Sequence, residues 1–120
     1  DNPVDNSIKK ILKAKEDIKL VEFKGIYNPL EATYKTGVGT NSYKGIWFLF
    51  DQILISKPLL NNDYSSFKFY RASIFNPPFL INKQGPYKGF PFRSFTYRDG
   101  FIGGFSDHLP VYVQLIKEVD

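Results

Sequence analysis

Asp107 and His108 stand side by side near the C-terminal end, and His108 is the only histidine of the chain. An imidazole titrates near neutral pH, so it can take up or release a proton where few other side chains can. A carboxylate that holds the ring in one tautomer also stabilises its protonated form, which turns a histidine into a general base or a phosphate ligand. Gly103 and Gly104 loosen the backbone ahead of the pair, and an apolar run over 111–116 follows it. Glycine-flanked loops at the mouths of strands are where chemistry is often mounted on a rigid sheet. A plain loop histidine at a strand start fits the same residues.

A second chemical group stands some fifty residues earlier. Asp51 lies in the middle of residues 47–56, the most apolar segment of the chain. A near-continuous run of that kind predicts a strand buried on both faces. A carboxylate buried there needs a cationic or hydrogen-bonding partner, unless the strand edge turns it to water. Asp51 and His108 could therefore form an Asp-His pair. Asp107 would add a second carboxylate, of the oxygen type that Mg²⁺ or Mn²⁺ prefers.

Several elements must position these groups. Ser7 is a suitable N-cap for a helix running to about residue 15, with Ile8, Ile11 and Leu12 on the face laid against a sheet. Pro29 at a first-turn position suits a short helix over 30–34. Gly37, Gly39 and Gly45 mark a loop before the apolar strand. Residues 66–75 alternate enough for another strand, which Asn76-Pro77-Pro78 stops. Residues 82–100 form a long Gly-, Pro- and aromatic-rich segment, and unstructured loops of that length in a small domain tend to be functional or partly disordered. A last strand covers 111–117.

With 120 residues the chain is one domain, and 42% hydrophobic against 23% charged residues describes a folded chain. Aromatic content of 18% favours β structure. The net charge of +4 permits an anionic partner without demanding one, because the basic residues are dispersed. Cysteine is absent, which excludes disulfides, zinc-thiolate sites and thiol nucleophiles. No apolar run approaches the ~20 residues of a membrane span, so a soluble domain is expected, with its compartment open.

At this point the residues resemble a family. Leu49-Phe50-Asp51-Gln52-Ile53-Leu54-Ile55-Ser56 looks like the "LDQIxxS" strand of the endonuclease/exonuclease/phosphatase superfamily, the DNase I-like metallohydrolases. Ser106-Asp107-His108-Leu109-Pro110-Val111 looks like its terminal "SDHxPV" motif, and Asp1-Asn2-Pro3 with the Ser-initiated helix looks like the stretch directly after its "GDFN" motif. Phe50 stands where a leucine is usual, a conservative packing change.

The resemblance implies an α/β (α+β) fold: the C-terminal half of a four-layer sandwich, with one mostly antiparallel sheet and one or two short helices on one face. It implies a divalent-metal-dependent phosphoester hydrolase in which water attacks phosphorus. His108 would be the base or phosphate ligand, Asp51 would orient it, and Asp107 would help hold Mg²⁺ or Mn²⁺. Ser106 would be a structural partner of the loop. The substrate would be a nucleic acid, a phospholipid head group or a small phosphate ester.

The family's metal-binding glutamate, an early asparagine and the "GDFN" residues have no counterpart in these 120 residues. The N-terminal half is therefore expected to be missing, and the fragment to be inactive by itself. Its bare sheet face would be covered by that half or by self-association.

Arg93 and Arg98 are candidates for a substrate phosphate, against the alternative of a solvated loop. Tyr87, Phe92 and their aromatic neighbours could stack on a base or lipid, or simply pack. A non-catalytic binding module that keeps the scaffold is the alternative reading of the chain. A β domain binding nucleic acid by charge and aromatics alone is a third.

Overall fold

Asn6 opens the first helical turn of the structure, a computed structural model that describes all 120 residues. The helix expected from Ser7 to about residue 15 is instead a π-helical turn over Ser7–Ile11. The Ser7 hydroxyl donates to the Asp1 carboxylate, so it does not cap the turn. The Leu12 N–H reaches five residues back to the Ser7 carbonyl (3.0 Å), and Lys13 then turns into the left-handed region at φ 56°. That turn brings Ala14 into the interior while Ile11 and Leu12 stay exposed and only Ile8 is partly buried, so most of the apolar face expected to lie on a sheet faces outward.

Eight short strands follow: β1 Ile26–Tyr27, β2 Asn41–Tyr43, β3 Ile46–Phe48, β4 Ile55–Ser56, β5 Lys68–Ile74, β6 Phe95–Thr96, β7 Gly100–Phe101 and β8 Val111–Ile116. The single α-helix, α1 over Glu31–Lys35, lies close to the expected helix after Pro29. All strand pairs are antiparallel: β1 with β4, β2 with β3, β5 with β8, and β6 with β7. The class is thus α+β, built from four two-stranded ladders where one sheet was expected. Isolated bridges connect the pieces, and the one between Asn41 and His108 joins β2 to the chain entering β8.

The long apolar strand expected over 47–56 is broken. β3 ends at Phe48, β4 holds only Ile55–Ser56, and the six residues between belong to no ladder. Side chains take up their backbone groups instead. The Leu49 N–H donates to Asn2 Oδ1 (2.9 Å) and the Asp51 N–H to Thr40 Oγ1 (3.4 Å). Gln52 Nε2 donates to the Leu49 and Asp1 carbonyls, and Gln52 Oε1 accepts from buried Asn28 Nδ2 (2.8 Å). A backbone group satisfied by a side chain has no need of a neighbouring strand.

β5 and β8 form the longest ladder, running from Lys68 opposite Ile116 to Ile74 opposite Val111. A bulge at Tyr70, between Phe69 and Arg71, adds one unpaired residue to β5 and increases its twist. The Phe75 N–H extends the pairing to the Pro110 carbonyl (2.7 Å), two residues past His108. The expected long loop over 82–100 holds a 3₁₀ turn at Gly85–Tyr87 and the β6–β7 hairpin.

Little of this chain is sealed from water. Only Ala14, Val21, Leu30, Leu49, Ile55 and Leu109 form a buried apolar core. The accessible surface of 8249 Å² exceeds by about 1,600 Å² what a compact monomer of this mass exposes. The radius of gyration, 17.0 Å, compares with about 14 Å for a compact chain of this length. The molecule is a slab, 51 × 39 × 20 Å. No helix is long and apolar enough to cross a membrane.

Candidate active site

His108 enters the site on a loop pinned at both ends. Before it, the Phe105 N–H donates to the Phe92 carbonyl (2.8 Å), and Gly104 lies so close to the Phe92 and Arg93 carbonyls that an added Cβ would meet them at 2.1 and 2.2 Å. After it, the Leu109 N–H donates to the carbonyl of fully buried Thr40 (2.7 Å), and Leu109 is itself buried. Within the loop, the His108 N–H donates to Ser106 Oγ (3.0 Å), a local turn that holds the backbone from which the ring projects.

Asp51 reaches the same place from the irregular segment between β3 and β4. Its Oδ2 lies 2.6 Å from His108 Nδ1. The two side chains keep 37% and 38% of their exposure, so Asp51 is half-buried and not buried within a strand as the apolar run predicted. The cause is the loss of the ladder around it. An ionised carboxylate against Nδ1 favours the tautomer with the proton on Nδ1, leaving the Nε2 lone pair to act as base or acceptor.

Thr40 ties both partners together. Its hydroxyl accepts from the Asp51 backbone and its carbonyl from Leu109, while its own N–H donates to the Phe48 carbonyl (2.8 Å). Asn41, next to it, bridges to His108 and carries a buried Oδ1 with no hydrogen-bond partner. Sequence reasoning passed over Thr40, Asn41 and Gln52. Thr40 and Asn41 were signalled only by a polar Thr-Asn-Ser run straight after Gly39, where a Cβ would meet the Phe48 carbonyl at 2.3 Å, and Gln52 only by its place in the "LDQIxxS" match.

The other candidates are less engaged. Asp107 is exposed and makes no ion pair. Arg98 is solvent-facing, its Nε 3.7 Å from Asp99 Oδ1, a weak surface pair. Arg93 places its guanidinium 5.5 Å from the Tyr87 ring centre, with a buried and unpartnered Nε.

No group of three or more His, Asp or Glu side chains comes together to hold a metal ion. A hard divalent cation takes about six oxygen donors, and Asp51 has one oxygen committed to His108. The donor set of these residues does not by itself fit Mg²⁺ or Mn²⁺.

No curated protein and no solved structure matches the chain. The sequence model of the Endonuclease/Exonuclease/phosphatase family matches residues 1–117. That span includes Asp51, Thr40, the His108 loop and the polar links between them, and membership suggests hydrolase chemistry. The chain belongs to the endonuclease/exonuclease/phosphatase family.

Proposed function

We propose that this chain is the part of a phosphoester hydrolase that supplies its histidine base. The observation that carries the reading is the 2.6 Å contact between Asp51 Oδ2 and His108 Nδ1 on a pinned loop, in a chain of this family. The Nε2 of His108 takes a proton from water as the water oxygen attacks phosphorus. The bond from phosphorus to the leaving oxygen breaks, and the leaving oxygen recovers a proton from solvent or from the imidazolium. Asp51 stabilises that imidazolium and keeps the ring from rotating.

The divalent metal that belongs to this reading is Mg²⁺ or Mn²⁺. Asp107, exposed beside His108, supplies one carboxylate to it, so the remaining ligands come from outside these 120 residues. The slab shape and its surplus surface support the same view: the chain is the C-terminal part of a larger sandwich and is inactive alone. A second reading, a binding module that keeps the scaffold without turnover, is favoured by the missing donor set.

The intact protein, assayed with Mg²⁺ or Mn²⁺ on nicked DNA, phospholipid and small phosphate esters, separates the two. Turnover that collapses in His108→Ala and Asp51→Ala is the expected result. Unchanged turnover in His108→Ala overturns the mechanism, and metal-independent binding without turnover selects the binding module.

A further inference from the structure

A carboxamide stands directly beside the histidine base. Asn41, the first residue of β2, pairs with Phe48 of β3 on one side and with His108 on the other. The Leu109 N–H donates to the Thr40 carbonyl (2.7 Å), so the bond flanks Asn41 and His108 and does not join them. In an antiparallel pair of that kind the Cα atoms lie about 4.5 Å apart and the two side chains share one face. The row across this face is therefore Phe48, Asn41, His108.

Neither end of that carboxamide is used within the chain. Asn41 Oδ1 is sealed from solvent without a hydrogen-bond partner. The Phe48 ring on one flank offers no N–H or O–H, and the His108 ring on the other commits Nδ1 to Asp51. Asn41 Nδ2 makes no hydrogen bond either, but it is not among the sealed atoms, so the donor end stays open. A sealed and unpaired polar atom costs stability, and such atoms are rare outside functional sites. Of the two in this chain, Asn41 Oδ1 is the one paired across from the candidate base.

We propose that Asn41 is a further catalytic residue: its Nδ2 donates to a non-bridging oxygen of the phosphoryl group that the water activated by His108 attacks. The assignment rests on the hydrolase reading and supplies what the Asp51–His108 pair lacks. That pair moves a proton, while the charge of the transition state is spread over the equatorial oxygens of phosphorus. A fixed N–H aimed at such an oxygen stabilises the transition state more than the ground state. A carboxamide suits the place because it donates without titrating. It neither competes with His108 for the proton nor sets a second carboxylate beside Asp51. The backbone holds it in register, since neighbouring Thr40 binds the Asp51 N–H through its hydroxyl and the Leu109 N–H through its carbonyl.

The test uses the intact protein and reads turnover and melting temperature, with calorimetric binding of orthovanadate, an oxyanion that adopts the five-coordinate geometry of the attack. Asn41→Ala is expected to lower kcat about 10²-fold with little change in KM. It should weaken vanadate binding about tenfold. Its melting temperature should be unchanged or higher, because the unpaired acceptor is gone. The vanadate loss should recur when Asn41→Ala is added to His108→Ala, since each group meets the phosphoryl oxygens by itself. Asn41→Asp keeps the shape and replaces the donor with a charge, so it should lose at least as much on both readouts. That variant keeps the test decisive even if Asn41→Ala fails to fold. A lower melting temperature with vanadate binding intact makes Asn41 structural and overturns the assignment. So does a vanadate loss that vanishes in the His108→Ala background, which would make Asn41 a positioning residue for the ring. If Asn41→Ala keeps full turnover while His108→Ala abolishes it, only the role of Asn41 falls; if His108→Ala retains turnover, the hydrolase reading falls with it.

Discussion

Asp51 Oδ2 lies 2.6 Å from His108 Nδ1 across 57 residues of sequence, and both side chains remain more than a third exposed. A contact this open to water stabilises a fold weakly, since solvent screens it and the free partners are easily rehydrated. Asp51→Asn should therefore lower stability by about 1 kcal/mol or less. The same substitution should lower turnover of the intact protein by about 10²- to 10⁴-fold, the usual worth of an oriented general base. Chemical denaturation and initial rates on one preparation make the comparison, and a stability loss without a rate loss would mark the pair as structural.

The two residues should also act as one unit. His108→Ala removes the base, so adding Asp51→Asn to it should cost little more, in contrast to the additivity of distant sites. ¹⁵N spectra of the imidazole give an independent readout. The proton is expected on Nδ1 in the native chain and should redistribute towards Nε2 in Asp51→Asn. Multiplying rate losses in the double variant would mean that Asp51 acts on something other than His108.

Gly103 and Gly104 serve the loop for different reasons, and single alanines should tell them apart. Gly103 sits at φ 81° with open space around it, so Gly103→Ala carries only the left-handed strain of about 1–2 kcal/mol. Gly104 has ordinary φ, but its Cβ would fall 2.1 Å from the Phe92 carbonyl oxygen. Backbone must move to admit it, and that movement passes to Phe105 and on to His108. Gly104→Ala should lower both melting temperature and turnover more than Gly103→Ala. Equal effects would mean that the close approach is not what holds the loop.

Glu31 is nearly sealed from water, with Lys9 Nζ at 2.7 Å and Lys35 Nζ at 3.4 Å. Removing Lys9 leaves a buried carboxylate with its weaker partner, so Lys9→Met should cost about 2–3 kcal/mol, below the full value for a sealed pair because Lys9 reaches solvent. Lys35→Met should cost clearly less. The Lys35 ammonium is held above the usual lysine value, chiefly by its hydrogen bond to Glu16, with Glu31 adding to it. Its folded form thus binds a proton more tightly than its unfolded form. That contribution is complete below pH about 10.5 and is lost as the pH rises through the higher folded value. Denaturation midpoints at neutral and strongly alkaline pH, with Lys35→Met as control, check the direction.

The site was more legible in the sequence than the elements that carry it. Asp51 and His108 could be matched because each is an unusual residue in its surroundings, a charge in an apolar run and a lone histidine after two glycines. The strand around Asp51 was misread because residue types report hydrophobicity, while Asn2, Thr40 and Gln52 decide where the backbone bonds go. The first helix failed for a similar reason, since Asp1 engages the Ser7 hydroxyl. Thr40 left little trace in the sequence because its role comes from three contacts, one through its hydroxyl and two through its backbone, that exist only in the folded chain.

The outer face of the slab gives the last prediction. Phe75 packs edge-on against Phe79 and Tyr112, and Phe79 in turn against Phe105, yet all four rings remain exposed. The surplus of about 1,600 Å² is twice what one partner contributes to a standard interface. Residues 1–120 expressed alone should therefore sediment above the monomer mass of 13.9 kDa and bind a hydrophobic dye. Phe75→Lys and Tyr112→Lys should reduce both, since a charge on a ring-lined face opposes any apolar cover. Where the proposed larger sandwich covers this face, the same substitutions should instead lower stability. A dye-silent monomer of residues 1–120 would show that the slab needs no cover, and with it the half-sandwich reading would fall.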